Sequence, residues 1–161
     1  MKNFSIILGA IILMLFVTLV IWGVYCDNTI AITNYSVNNT KNDAKLKFVV
    51  ITDLHNKEYG EKNADLAELV KEQNPDFIAV CGDMVNRSDP NTTKMKDVLK
   101  KLADIAPTYC CLGNHERDNA AEFGTDFKSE IDSTGAVLLD DEYIKFTKSG
   151  KSVLILSLIH I

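Results

Sequence analysis

Three short apolar runs, residues 48–51, 77–81 and 109–112, each stop at a polar motif. The motifs are Asp53-Leu54-His55, Gly82-Asp83 and Gly113-Asn114-His115-Glu116. Apolar runs of that length, bounded by turn-forming residues, read as buried strands. Helical patterns separate them. Residues 61–73 place Leu66, Leu69 and Val70 on one face with Ala64 and Ala67 alongside, and Asn74-Pro75 stops the helix. Residues 92–105 bury Met95, Val98, Leu99 and Leu102 and end before Pro107. A third helix is expected over residues 119–133, followed by strands at 136–139, 142–147 and 152–159. Lys148-Ser149-Gly150-Lys151 is a short polar turn that makes a hairpin of the last two. Strand–helix alternation of this kind implies an α/β domain with a parallel sheet and right-handed crossovers.

In open α/β sheets, ligand-binding groups gather outside the carboxyl ends of the strands. Glu116 aside, the motifs deliver two carboxylates, two imidazoles and an amide there, and divalent cations take such ligands. Asp53 and His55 are two apart and point the same way if the strand continues. Gly82 lets the backbone approach closely before Asp83, whose two oxygens could bridge two metals about 3.5–4 Å apart. Asn114 offers a carbonyl oxygen to a metal and an amide donor to a phosphate oxygen. His115 adds a group able to give a proton to a leaving oxygen. Singly, each has a plainer reading as a turn residue, helix cap or structural histidine. Their occurrence at three successive strand ends is what argues for a site. For Asn56, Glu116, Asp118 and Asp126 the plainer reading stands: solvated surface or helix-start roles.

Residues 6–24 are almost continuously apolar. At about 1.5 Å per residue they reach roughly 28 Å, near the thickness of a bilayer's hydrocarbon core. Trp22 and Tyr25 stand at the far end, where interfacial aromatics belong. The run is longer than the hydrophobic region of a cleaved signal peptide, and Val24-Tyr25-Cys26 is a poor cleavage site. Residues 1–26 are therefore expected to be an uncleaved single-pass anchor. Lys2 before the run and Asp27 after it place the N-terminus inside and the remaining chain outside the cell membrane. Residues 27–45, rich in Asn, Thr and Ser, read as a polar tether to a domain over 46–161.

The formal net charge of −5 and the lack of a dense Lys/Arg cluster argue against a nucleic-acid-binding surface. Lys94, Lys96, Lys100 and Lys101 alternate with Met95, Val98 and Leu99 as the solvated side of a helix. No CxxC spacing occurs, so Cys81, Cys110 and Cys111 are expected to be small buried hydrophobes in core strands.

The linked motifs, TDLH, CGDMVN and LGNHE, resemble the first three blocks of the calcineurin-like metallophosphoesterase family, and the apolar N-terminus is similar to that of its membrane-associated bacterial members. That resemblance implies a four-layer αββα sandwich and two divalent metal ions (manganese, iron or zinc). It implies Asp53 and His55 as ligands of the first metal, Asp83 as the bridge, Asn114 as a ligand of the second, and His115 as an aid to the leaving group. A phosphate-ester substrate follows, and the anchor makes a lipid-linked one attractive. The family's later blocks supply further metal-binding histidines, and the sequence stops within an apolar run, residues 153–161, before any of them. Only His160 offers an imidazole there, and a terminal strand role is the better reading for it. Two alternatives stay open: an inactive, truncated membrane-tethered fragment, and a mononuclear module using Asp53, His55 and Asp83.

Overall fold

The computed structural model describes residues 2–37 and 45–158, in two units that divide after Val37. His160 and much of the expected tether lie outside the described residues. The first unit is one helix, α1 (Lys2–Asp27), and its 25-residue stretch Asn3–Asp27 is long and apolar enough to cross a membrane. Thr18, a polar interruption, donates its hydroxyl to the Met14 carbonyl at 2.8 Å, which satisfies that donor within the helix.

The second unit is α/β, as its alternating pattern implies. Strands β1 (Phe48–Ile51), β2 (Phe77–Cys81), β3 (Thr108–Cys111) and β4 (Val137–Leu138) form a parallel sheet in sequence order. Helices α2 (Ala64–Glu72), α3 (Thr93–Ile105), α4 (Asn114–Phe123) and α5 (Phe127–Asp132) lie in the crossovers. With neighbouring strands in sequence order, crossovers of one hand put their helices on one face. Side chains divide accordingly. Ile51, Ile78, Val80, Cys110 and Leu138 are buried with Val98, Leu99 and Leu102 of α3. The other face carries Phe48, Val50 and Val137, all exposed. Strand alternation separates the cysteines as well. Only Cys110 is buried, its thiol pushed up to about 12 mainly by that burial, whereas Cys81 is exposed and Cys111 intermediate on the open face. The expected core placement of all three is corrected to one.

Two helices differ from their sequence-based bounds for local reasons. The expected helix from residue 61 begins as a 3-10 turn, because Lys62 and Asn63 adopt left-handed φ of 53° and 60°. Asn63, fully buried, accepts the Tyr59 N–H there at 3.0 Å. The single helix expected over 119–133 is two. Gly124, at φ 73°, ends α4 in the left-handed conformation that glycine adopts without steric cost, and Asp126 caps α5 by accepting from Ser129 N–H at 3.1 Å.

Strands β5 (Tyr143–Lys148) and β6 (Lys151–Leu156) form the expected antiparallel hairpin. Its turn residues Ser149 and Gly150 have φ of 51° and 77°, the pair of positive values that a tight two-residue hairpin turn needs. The hairpin lies against the sheet through Phe146, whose ring centroid is 5.1 Å from Phe77, itself stacked on Phe48 at 4.9 Å. Helix layer, parallel sheet and hairpin are the parts of an αββα sandwich that these residues build.

Asp76, at the root of β2, ties the hairpin down. It accepts the Lys47 N–H at 2.9 Å and pairs with the Lys148 ammonium. Burial raises its carboxyl, but these partners together hold it below the usual carboxylate value. A depressed folded-state value stabilises above the unfolded pKa, about 4, and is lost as pH falls through the folded one. Asp76→Asn should therefore cost about 1–3 kcal/mol at pH 7 and much less near pH 3, measured by urea unfolding.

Candidate metal centre

The first two polar motifs leave their strands on strained backbone. Asp53, His55 and Asn56 have φ of 58°, 47° and 58°, and Asp83 has φ 53°. Left-handed conformation is costly for such residues and clusters at functional sites when the surroundings enforce it. Here the enforcement is a ladder of main-chain bonds between the first two loops. Asp53 N–H donates to the Gly82 carbonyl at 3.2 Å, His55 N–H to Asp83 at 3.0 Å, and Asn56 N–H to Met84 at 2.9 Å. The second and third loops meet backbone to backbone. A Cβ on Gly82 would collide with the Gly113 main chain, and one on Gly113 with the Asp83 carboxylate.

Glu116, expected on the surface or at a helix start, is the correction of most consequence. It does sit in the first turn of α4, yet it is only 2% exposed. Its Oε2 accepts the N–H groups of Asp83 and Gly113, each at 2.8 Å. Its Oε1 accepts those of Met84 at 2.7 Å and Val85 at 3.0 Å. A single carboxylate thus gathers the amides of two loops. Asn119, fully buried, does the complementary work on carbonyls: its Nδ2 lies 2.8 Å from the Asp89 oxygen and 3.3 Å from that of Arg87. Asn56 is likewise buried, its Nδ2 donating to Asp89 Oδ2 at 2.9 Å. Asp126 keeps its helix-start role, and Asp118 its place on the surface, where it pairs with Arg87.

Within this frame all five candidate residues come together. The donor atoms of Asp53, His55 and Asp83 lie within 4.8 Å of one another. Thr52 Oγ1 donates to Asp53 Oδ2 at 2.7 Å, and His115 N–H, at the start of α4, donates to Asp83 Oδ1 at 2.9 Å. Asn114 reaches Asp83 Oδ2 at 3.2 Å through its terminal amide. The His55 and His115 rings meet edge to face at 4.4 Å. His115 Nδ1 accepts the Arg87 N–H at 3.2 Å, which leaves the ring hydrogen on Nε2.

A family model described as calcineurin-like phosphoesterase matches residues 46–157, most of the chain and all three motifs. The chain belongs to that family. Among curated proteins it is 34% identical over 101 residues to "Phosphodiesterase YaeI" of Escherichia coli (strain K12), covering 61% of this chain and 37% of that protein. It is 26% identical over 117 residues to "Uncharacterized metallophosphoesterase YkoQ" of Bacillus subtilis (strain 168), covering 71% of this chain and 43% of that protein. The chain thus spans about two fifths of the length of these relatives. No solved structure matches it significantly.

As expected of a calcineurin-like phosphoesterase, the site's donors fit a divalent cation. Two carboxylates and an imidazole converge, and His55 Nδ1 is buried without a hydrogen-bond partner.

Removing Glu116 strips four main-chain donors of their acceptor, and unmade buried hydrogen bonds are costly. Glu116→Ala should lower the unfolding free energy of the full-length protein by about 3 kcal/mol or more. Glu116→Gln, which turns one acceptor into a donor facing donors, should fall between. Urea unfolding curves measure both, and a loss of less than about 1 kcal/mol for the alanine variant would contradict this role.

Proposed function

We propose that the protein is a membrane-anchored, metal-dependent phosphoesterase with a dinuclear centre at the ends of β1, β2 and β3. The convergence of Asp53, His55 and Asp83 donors within 4.8 Å, in a chain of this family, carries the reading. Asp53 and His55 would hold the first cation, Asp83 would serve both, and Asn114 would hold the second. When bound, divalent cations polarise the phosphoryl group and activate water for in-line attack.

The chain's own residues do the rest. His115 N–H keeps Asp83 Oδ1 in place from the start of α4, where the backbone amides favour an anion. Thr52 Oγ1 does the same for Asp53 Oδ2. His115, with Nδ1 occupied by the Arg87 amide, turns an Nε2–H donor towards the leaving oxygen as negative charge develops on it. The main-chain ladder keeps these groups from moving when the substrate arrives, so reorganisation costs little.

The anchor over residues 1–26 and the tether over 27–45 would hold the domain, residues 46–161, at the outer side of the cell membrane. A lipid-linked phosphate ester suits that position. The E. coli relative named a phosphodiesterase makes a phosphodiester the first substrate to assay. The described residues give the second cation only Asp83 and Asn114, so a mononuclear centre is the rival outcome.

Full-length protein should hydrolyse an aryl phosphodiester with divalent cation present and lose that activity to a chelator. Asp83→Ala should reduce turnover by several orders of magnitude together with its bound metal, measured by mass spectrometry. Near wild-type turnover in purified Asp83→Ala would overturn the assignment. His115→Ala should lower kcat by about 10²–10⁴-fold while keeping its metal. Metal loss equal to that of Asp83→Ala would move His115 among the ligands.

A further inference from the structure

Cys81 and Cys111 stand side by side at the ends of two neighbouring strands, outside the groups that the metal centre uses. They are register partners in the parallel pairing of β2 with β3. Register partners of a parallel ladder point their side chains to the same face, here the one that carries Phe48, Val50 and Val137. Cys110, one residue earlier than Cys111, is buried on the opposite face. Cys81 is exposed and Cys111 half-buried, and the two thiols hydrogen-bond to each other.

Neighbouring strands run about 4.8 Å apart, within the roughly 4.4–6.8 Å between Cα atoms that a disulfide spans. Two thiols already in contact at such a position need only side-chain rotation to join. Cys110 cannot replace either of them, because neighbours in an extended strand point to opposite faces. A buried structural cysteine is inert, whereas an exposed thiol can be reached by a small reagent, and Cys81 is of the second kind. The position matters as much as the chemistry. Cys81 directly precedes Gly82 and Cys111 lies two residues before Gly113, the glycines at which the two loops cross in backbone contact. The Cys81 carbonyl also accepts the Thr52 hydroxyl at 3.2 Å, which ties the end of β1 to the same place.

We propose that Cys81 and Cys111 are a redox modification site: a small-molecule disulfide converts them to a reversible disulfide that braces β2 against β3 beneath the loops carrying Asp83 and Asn114. The inference goes beyond the phosphoesterase reading and stands independently of it. The exposed Cys81 sulfur attacks one sulfur of the oxidant, whose S–S bond breaks. One small thiol leaves with the Cys81 proton, and a mixed disulfide remains on Cys81. The Cys111 sulfur then attacks the Cys81 sulfur, and the second small thiol leaves with the Cys111 proton. The two cysteines thus lose two electrons and two protons, and the oxidant is reduced to two thiols. Exposed disulfides are the labile ones, so an added dithiol runs the exchange backwards. The closed bond links residues 81 and 111 across β2, α3 and β3, which restricts the unfolded chain and favours the folded one.

The test treats native full-length protein with oxidised glutathione, traps remaining thiols with iodoacetamide and maps the peptides by mass spectrometry. Wild-type protein should yield a Cys81–Cys111 link within one chain, with Cys110 alkylated, and dithiothreitol should remove the link. A chelator should leave this result unchanged, which separates it from the metal reading. In Cys111→Ser the second step has no sulfur, so a mixed disulfide with glutathione should accumulate on Cys81. In Cys81→Ser the half-buried Cys111 should take up glutathione about 10-fold more slowly. Oxidised wild-type protein should unfold at a higher urea concentration than reduced, and Cys111→Ser should show no such shift with oxidant. Wild-type protein with both cysteines alkylated after oxidation would overturn the proposal, as would Cys81 linked instead to Cys110 or to a second chain. Equal urea midpoints for fully linked and reduced wild-type protein would overturn the bracing role. The wild-type map needs no substitution, so it decides the matter even if a serine variant folds poorly.

Discussion

One buried carboxylate organises this site. Glu116 accepts from the main-chain amides of Asp83, Met84, Val85 and Gly113, and so locks the loop after β2 to the loop after β3. Burying a charge is expensive unless hydrogen bonds compensate it, and four amide donors do so here. The loop after β1 is fastened to the same assembly by its own main-chain bonds. Left-handed backbone at Asp53, His55 and Asp83 persists because this frame outweighs its cost. The converging side chains of Asp53, His55 and Asp83 are therefore positioned by backbone held from outside their own donor set.

The same frame explains why glycine precedes both Asp83 and Asn114. The two loops cross where a Cβ on Gly82 or Gly113 would occupy the neighbouring chain or the Asp83 carboxylate. Close approach brings the start of α4 onto Asp83, whose Oδ1 takes the His115 amide. Donor geometry at the site is thus set by backbone contacts, and the chemistry of the side chains is added to them. On the opposite side of the sheet, Phe48, Val50 and Val137 stay exposed beyond the hairpin's reach. Apolar surface of that kind is normally covered in an αββα sandwich by a second sheet, and among the described residues β5 and β6 form that layer.

Much of this was legible in the sequence because the signals were local. Apolar runs ending in Asp53, Asp83 and Asn114 gave strands in the right places, and a polar Ser149-Gly150 turn gave the hairpin. What escaped depended on contacts distant in sequence. Glu116 resembles any acidic residue of a first helical turn until its bonds to the loop after β2 are seen. Asn119, Asn56 and Arg87 likewise act through partners about thirty residues away. The break between α4 and α5 was readable in principle, since Gly124 and Asp126 are a stop and a start. Cys81 was misplaced because period-two alternation assigns it to a face whose cover cannot be read from its own strand. Membership of the calcineurin-like phosphoesterases was carried by the motifs themselves, and the family model's match over residues 46–157 agrees with that reading.

The donor atoms of Asp53, His55 and Asp83 converge closely enough to fit a divalent cation. Crystals of the full-length protein grown with manganese and measured at the manganese absorption edge test this most directly. An anomalous peak is expected within coordination distance, about 2.0–2.3 Å, of donor atoms of all three residues. A well-ordered site with no anomalous peak among them, or with manganese bound elsewhere, would contradict it.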